Sequence, residues 1–325
     1  MRRLVLRESV QIAGPSPITF GLLPRQHMIE IRPLSVSDLR KTPNKDGRGV
    51  FWQTLTGPLV PIDMSLVRGA DEMPAEDVPS IALDQNHFLY FKYGKERLNC
   101  VEHLLALKAF GLDGVVIRAL HSSTWVPYDG RAKIFWEELE DKLKIDGNLA
   151  PMTMAVDYSL EDKHPKFGWT RSTSLDSTEK RNALSISATI DYSMFGGKQT
   201  IKQTFPDDIT SELTNILCAR GLLQPPWLEK RVPFLRALGW PHAENFLMPS
   251  AYAENPQKFM AELLRHRLLD ALGCLGLMAE AGTCLVGTIN LDKGNHATDL
   301  SFLKALKPIA HKKHPGLSCL ALHQA

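Results

Sequence analysis

Two residues lie at a spacing that can bind a divalent metal ion. His266 and Asp270 are four residues apart in a stretch with helical periodicity, so their side chains lie on one helix face, one turn apart. Imidazole nitrogen and carboxylate oxygen are both zinc ligands, and a catalytic zinc site commonly combines three protein ligands with a water molecule. His103 is a candidate third ligand, and the carboxylate of neighbouring Glu102 could take a proton from that water. The spacing alone also fits a surface ion pair, with His103 at a helix terminus.

The candidate ligands lie in two segments that share one pattern. A helix is predicted from Glu102 to Phe110, closed by Gly111 and followed by the β-branched strand GVVIRAL. A longer amphipathic helix is predicted from Gln257 to Ala279, followed by a strand from Cys284 to Leu291. The repetition indicates two halves built on one plan, although many helix–strand units look similar. The first helix has one face formed by Val101, Leu104, Leu105 and Lys108.

Length and element order predict an α+β fold with two similar domains. At about 150 residues per domain, a chain of 325 residues suggests two. A charged helix is predicted from Ile134 to Ile145, and the best linker candidate follows it at Asp146 to Pro151. The expected domains are therefore residues 1–148 and 149–325, each a β-sheet layer packed on helices. A last helix is predicted to begin at Leu300 to Ala305.

Composition and charge exclude several classes of protein. The chain has 38 Lys and Arg against 36 Asp and Glu, and a net charge of +2 is too balanced to indicate nucleic-acid binding. No apolar run approaches the ~20 residues of a membrane span, and the amino terminus lacks the apolar segment of a signal peptide. The five cysteines form no CxxC pair, which favours reduced thiols in the cytoplasm over a disulfide framework. The oligomeric state is left open.

Four short strings contain the candidate ligands and two further polar groups. They are Val101-Glu102-His103, PYDGRA at Pro127 to Ala132, His266-Arg267-Leu268-Leu269-Asp270 and Gly294-Asn295-His296. They resemble, in order, the VEH, PxMDGSA, HKxLD and SGH motifs of the UDP-3-O-acyl-N-acetylglucosamine deacetylases of lipid A synthesis. The order and the separations are family-like, and the resemblance is strongest at residues 92–135 and 259–305. The chain thus resembles a divergent paralogue of that family.

The resemblance implies a role for each matched residue. His103, His266 and Asp270 would bind Zn²⁺, although Fe²⁺ is possible. Glu102 would activate the water, and His296 would stabilise the oxyanion and protonate the leaving amine. The implied reaction is hydrolysis of the N-acyl group of a small acylated amino sugar. Since the matched residues come from both halves, the site is expected between the two domains.

Three positions depart from the family and, together with Asp129 of PYDGRA, are assigned to substrate binding or tuning. Cys274 stands where the family has an aspartate that orients the catalytic histidine, so His296 should lose support for its protonated form. An additional metal ligand is the less favoured interpretation of Cys274. Gly221, in the best match to the family's RTF segment, lacks a hydroxyl, and one lost oxyanion donor can cost about 2.7–4 kcal/mol. Arg267 replaces a lysine, and its planar fork suits phosphate or carboxylate; the alternative is a solvated helix charge.

The departures spare the expected metal ligands and Glu102. The sequence therefore predicts a zinc-dependent deacetylase of an acylated amino sugar with altered substrate handling. One alternative is the same amidase chemistry on a small molecule outside lipid A synthesis. An alternative of another class, suggested by Cys274 and Gly221, is a catalytically weak metal- or ligand-binding regulator.

Overall fold

The structure is a computed structural model that describes most of the chain. The described residues are 1–15, 26–42, 46–55, 57–63, 66–68, 90–99, 101–120, 126–127, 131–153, 158–163, 170–176, 183–192, 197–205, 211–221, 230, 232–237, 247–248, 252, 254–279, 281–293, 298–299 and 301–302. For some of them, including Glu102 and the strands between residues 150 and 176, only the backbone is described.

Sixteen strands and six α-helices are present in the described residues. The strands are β1 (Arg2–Leu6), β2 (Val10–Pro15), β3 (Gln26–Pro33), β4 (Val50–Gln53), β5 (Leu59–Pro61), β6 (Val67–Arg68), β7 (Tyr90–Tyr93), β8 (Glu96–Asn99), β9 (Val115–Ala119), β10 (Leu143–Asn148), β11 (Ala150–Thr153), β12 (Tyr158–Lys163), β13 (Thr170–Asp176), β14 (Leu184–Tyr192), β15 (Gly197–Phe205) and β16 (Thr283–Asp292). The helices are α1 (Val36–Leu39), α2 (Glu102–Ala109), α3 (Lys133–Leu139), α4 (Ser211–Cys218), α5 (Val232–Ala237) and α6 (Pro256–Gly276). None of these described helices is both long and apolar enough to cross a membrane.

The two larger sheets follow the same strand plan. One has the order β2-β3-β9-β4-β5, and the other has the path β12-β13-β16-β14-β15, with β11 paired beside the start of β16. In each sheet the central strand pairs in parallel with one neighbour, β4 or β14, while the other pairs along the path are antiparallel. In each, a helix directly precedes the central strand, α2 before β9 and α6 before β16. The chain therefore mixes largely antiparallel sheets with few helices, as the α+β prediction states; the division at residue 148 stays a prediction.

The segment predicted as a linker is almost all strand, and the predicted charged helix is too long. Helix α3 ends at Leu139, a 3-10 turn follows at Glu140–Lys142, and the chain then enters β10. β10 pairs with β1, and β11 pairs with β16, so residues 143–153 are almost all strand. Most side chains of β10 are exposed, so no apolar alternation indicated a strand. Backbone pairing with β1 and the ion pair between Arg3 and Asp146 hold this segment instead.

Helix α6 is buried around most of its circumference rather than amphipathic. It begins with Asn255, whose side chain accepts the Lys258 N–H at 3.0 Å, and with Pro256 in the first turn, where a missing N–H costs nothing. From Leu263 onward nearly every residue is buried, because α6 packs against α2, α4, β14 and β15. A helix covered on several sides needs no polar stripe. One hydrophobic cluster joins it to both larger sheets and includes Ile29, Ile117, Leu104, Leu105, Ile186, Leu268, Leu272 and Ile289.

Helix α2 meets the end of α6 at a glycine. A Cβ atom on Gly276 would lie 2.5 Å from the carbonyl oxygen of Leu105, closer than any real contact, so only glycine permits this approach. Gly111 ends α2 as predicted, with a φ of +105°. A Cβ atom there would lie 2.3 Å from the carbonyl oxygen of Arg2. The orientation of α2 is therefore set by backbone contacts at its middle and just beyond its carboxyl end.

A buried lysine fastens α2 to its neighbours. The ammonium group of Lys108 donates hydrogen bonds to the carbonyl oxygens of Ala279, at 2.8 Å, and Ile62, at 3.3 Å. Burial lowers the pKa of Lys108 from 10.5 to about 8, while the charges of Asp63 and Asp113 oppose this shift. The place of Lys108 on the apolar face of the predicted helix is the sequence signal for this burial.

The close approach at Gly276 predicts that alanine at this position lowers stability, which is the opposite of what helix propensity predicts. In a helix interior, alanine is ordinarily more favourable than glycine by about 1 kcal/mol. Gly276→Ala should nevertheless lower the free energy of unfolding by about 1–3 kcal/mol, because the helices must separate to accept the Cβ atom. Urea unfolding measures the change. A more stable variant would contradict the packing of α2 on α6.

Lys108 predicts a specific pH dependence of stability. Its folded pKa, about 8, lies below the unfolded value of 10.5, so the unfolded chain binds more protons between these two pH values. The free energy of unfolding should therefore gain up to roughly 3 kcal/mol from this residue as the pH rises from about 8 to about 10.5. Lys108→Met should lose that gain. Urea unfolding of both proteins across this range gives the difference, and parallel pH profiles would refute the buried amine.

Candidate metal centre

The two ligand candidates on α6 lie on one face of the helix, as their spacing predicts. His266 and Asp270 are one turn apart, and the Nε2 atom of His266 lies 3.5 Å from Oδ1 of Asp270. His103, in the first turn of α2, approaches the same carboxylate, with its Nε2 atom 3.3 Å from the same oxygen. The two imidazole rings are nearly perpendicular, with centroids 5.1 Å apart. The structure thus brings together three residues from segments more than 160 positions apart.

These three side chains could hold a metal ion. One donor atom from each lies within 4.8 Å of the other two, and among the described residues this is the group with that property. His103, His266 and Asp270 are 1%, 6% and 5% exposed, so water does little to satisfy them. Two imidazoles and a carboxylate form one of the donor sets found in catalytic zinc sites, and the same set binds iron in non-haem enzymes.

The tautomer of His266 makes a cation at this position favourable. Its Nδ1 atom lies 3.1 Å from the carbonyl oxygen of Ala219, which can only accept, so Nδ1 carries the hydrogen. Burial, together with the charges of His103 and Arg267, lowers the pKa of His266, and the charge of Asp270 opposes this shift. The lowered pKa favours the neutral ring. The Nε2 lone pair then faces the carboxylate oxygen of Asp270, another acceptor. A positive ion between the two relieves this repulsion, so the residues fit a metal.

The backbone of Ala219 contacts the candidate site, and the sequence motifs do not reveal this contact. A backbone carbonyl that fixes the tautomer and the ring orientation of a ligand histidine is a common arrangement in metal sites. Ala219 is the residue directly after α4, and α4 packs against α6. Because any residue type offers a carbonyl, only the position of Ala219 at the start of the segment matched to RTF could have indicated this contact.

Arg267 forms a buried, bidentate ion pair. Its two terminal nitrogens donate to the two carboxylate oxygens of Asp299, at 2.6 and 2.5 Å, and both side chains are about 5% exposed or less. Burial opposes the charge, but the charge and hydrogen bonds of Asp299 outweigh it and raise the pKa of Arg267. The solvated alternative for Arg267 is wrong. Its fork does bind a carboxylate, but that carboxylate belongs to the chain itself; no sequence spacing indicated Asp299.

Two other predicted tuning positions lie in the same region. Cys274 is buried one turn beyond Asp270 on α6. The group of metal-donor atoms does not include Cys274. Gly221 is buried, and its carbonyl oxygen accepts the Leu247 N–H at 2.7 Å. It lies two residues from Ala219, so the segment matched to RTF does run beside α6.

The side chains of three predicted site residues lie outside the described part of the chain. Glu102 is the first residue of α2, adjacent to His103, but its side chain lies outside the described part of the chain. His296 and Asp129 also lie outside the described residues. The helical residues 298–299 and 301–302 fit the predicted last helix, although they begin two residues earlier. The remainder of that prediction, residues 303–305, lies outside the description.

A family comparison bears on most of the chain, including both helices of the site. Residues 79–308 match the family model described as UDP-3-O-acyl N-acetylglycosamine deacetylase. No curated protein matches the chain. The matched range contains every residue of the His103, His266 and Asp270 group, and covers well over half of the sequence. The resemblance inferred from the short motifs is thereby confirmed, and the chain belongs to the UDP-3-O-acyl N-acetylglycosamine deacetylase family.

Proposed function

We propose that this protein is a zinc-dependent deacetylase that hydrolyses the N-acyl group of an acylated amino sugar. The observation that carries the proposal is the convergence of His103, His266 and Asp270 around one buried position, with the His266 tautomer set for metal binding. Family membership supports hydrolysis of an amide, and the donor set supports the metal. Zn²⁺ is the expected ion, with Fe²⁺ as the alternative for the same ligands.

Some side chains of the site would bind the metal ion, and others would transfer protons. A divalent ion at this position supplies Lewis acidity toward the amide carbonyl and makes a water molecule more acidic. Asp270 contributes the negative charge that retains such an ion, and Ala219 keeps the His266 ring in the ligand tautomer. Glu102, next to His103 in the first turn of α2, takes the proton from the attacking water. His296 protonates the amine, which leaves poorly otherwise.

The ion pair of Arg267 favours a substrate that differs from the UDP-linked sugar named by the family. The guanidinium and Asp299 neutralise each other, and both terminal nitrogens of the fork are already occupied by the carboxylate. Arg267 therefore gives little attraction to a diphosphate. Together with Cys274 and Gly221, this supports the same amidase chemistry on another acylated amine as the second candidate function.

We also infer that the site lies between two similar domains, residues 1–148 and 149–325. The matching strand order of the two larger sheets supports two units of one plan. His103 comes from the first unit, while His266 and Asp270 come from the second, so neither unit alone would hold the ion. A cytoplasmic location agrees with the cysteine pattern and stays a prediction.

Metal content tests the proposed ligands. Protein purified without chelators should contain about one zinc ion per chain by elemental analysis. His266→Gln should weaken zinc binding by more than the roughly 10–100-fold typical of changes outside the ligand set, because it removes a ligand. His27→Gln, which changes a histidine of β3 outside the group, serves as the matched control and should bind normally. Equal zinc affinity in both variants would rule out His266 as a ligand.

Acetate release tests the reaction and the role of Glu102. The zinc-loaded protein should release acetate from the UDP-linked 3-O-acyl sugar or from a simpler N-acetylated amine, and comparison of the two separates the candidate substrates. Glu102→Gln should lower the rate by about 10²–10⁴-fold while the zinc content stays unchanged. A zinc-loaded protein without activity on either class would favour the metal-binding regulator instead.

A further inference from the structure

A second polar cluster lies one turn before the metal ligands on α6. Glu262, His266 and Asp270 are spaced at successive intervals of four residues, which places them along one face of the helix. Around Glu262 the side chains of Arg220 and Tyr252 come together. Glu262, Arg220 and Tyr252 are not part of the group formed by His103, His266 and Asp270. The cluster borders the site without being part of it.

One peptide unit connects this cluster to His266. The carbonyl oxygen of Ala219 lies 3.1 Å from Nδ1 of His266. The N–H on the other side of the same peptide bond, that of Arg220, donates to Oε1 of Glu262 at 3.3 Å. Because a peptide unit is planar and its C=O and N–H point in opposite directions, holding one end fixes the direction of the other. Glu262 therefore restrains the carbonyl that orients His266.

The Arg220 side chain reinforces this restraint. Its Nε and Nη2 atoms donate to the two carboxylate oxygens of Glu262, at 2.6 and 3.0 Å. The hydroxyl of Tyr252 donates to the same carboxylate at 3.1 Å and contacts Arg220. Burial disfavours the charge on Glu262, but the hydrogen bonds and charge of Arg220 outweigh it and lower the pKa of Glu262. The carboxylate thus stays ionised and accepts several donors at once, which holds it in one position.

We infer that Glu262 and Arg220 are positioning residues for the metal ligand His266, acting through the peptide unit between Ala219 and Arg220. The inference rests on the proposed metal function, since it concerns the affinity of that site. When the peptide plane is held, the Nδ1–H of His266 has a fixed acceptor, and the Nε2 lone pair points at the metal position. When it is free to rotate, the ring loses its preferred tautomer and part of its orientation.

The test compares two substitutions at one position. Glu262→Ala removes the acceptor of the Arg220 N–H, so zinc affinity, measured by competition with a chromophoric chelator, should fall about tenfold. Glu262→Gln keeps an amide oxygen that can accept this N–H, and it should recover most of the loss. Arg32→Met is the control, because it removes a similarly buried ion pair, Arg32 with Asp38 at 2.5 Å, far from α6 in sequence. It should lower stability with unchanged zinc affinity.

A second readout separates positioning from a general loss of stability. In the metal-free protein, ¹⁵N NMR of histidine-labelled samples should show His266 protonated at Nδ1, with its signal assigned by comparison with His266→Gln. Glu262→Ala should shift that signal toward a mixture of tautomers, whereas Arg32→Met should not. If Glu262→Ala does not fold, Arg220→Gln replaces it, with the same direction of effect expected.

The outcomes distinguish this inference from the proposed function. If the wild-type protein binds no zinc, the metal function itself fails. If the wild type binds zinc and Glu262→Ala binds it equally tightly with an unchanged His266 signal, the positioning role is overturned while the metal site stands. A tenfold loss in Glu262→Ala that Glu262→Gln largely reverses supports the role.

Discussion

The packing of α2 against α6 is the constraint on which the site depends. The two helices come from distant parts of the sequence, and their approach at Gly276 leaves no room for a side chain. That approach places His103 across from His266 and Asp270, with one carboxylate oxygen within 3.5 Å of both rings. Lys108 adds a hydrogen bond from α2 to the carbonyl oxygen of Ala279, just beyond α6. A shift of either helix would separate the three donors, so the core and the site are stabilised by the same contacts.

Burial of the three donor side chains favours a cation at their centre. Two imidazoles and a carboxylate meet in one small, water-poor volume, where a buried negative charge is costly unless a positive charge lies beside it. Among the described residues, the guanidinium of Arg267 is paired with Asp299 and that of Arg220 with Glu262. Each arginine anchors a segment to α6. The negative charge of Asp270 between the two imidazoles thus favours a bound cation.

The sequence predicted the parts of the site that depend on local spacing. The four-residue interval between His266 and Asp270 indicates a shared helix face, and the motif around His103 indicates the third donor. Contacts such as Arg267 with Asp299 and Ala219 with His266 depend on tertiary packing, which no local pattern encodes. Strand β10 was missed for a related reason: its exposed side chains show no apolar alternation, and only its pairing with β1 makes it a strand. The order of the helix–strand units, by contrast, was readable because glycine and buried β-branched residues mark it.

The most direct measurement is anomalous diffraction from crystals of the zinc-loaded protein, recorded on both sides of the zinc absorption edge. We expect one strong anomalous peak bounded by Nε2 of His103, Nε2 of His266 and Oδ1 of Asp270, at about 2.0–2.2 Å from each. The Nδ1 atom of His266 should still face the carbonyl oxygen of Ala219. No peak at this position, with the three side chains in contact only with one another, would contradict the metal centre and the function proposed from it.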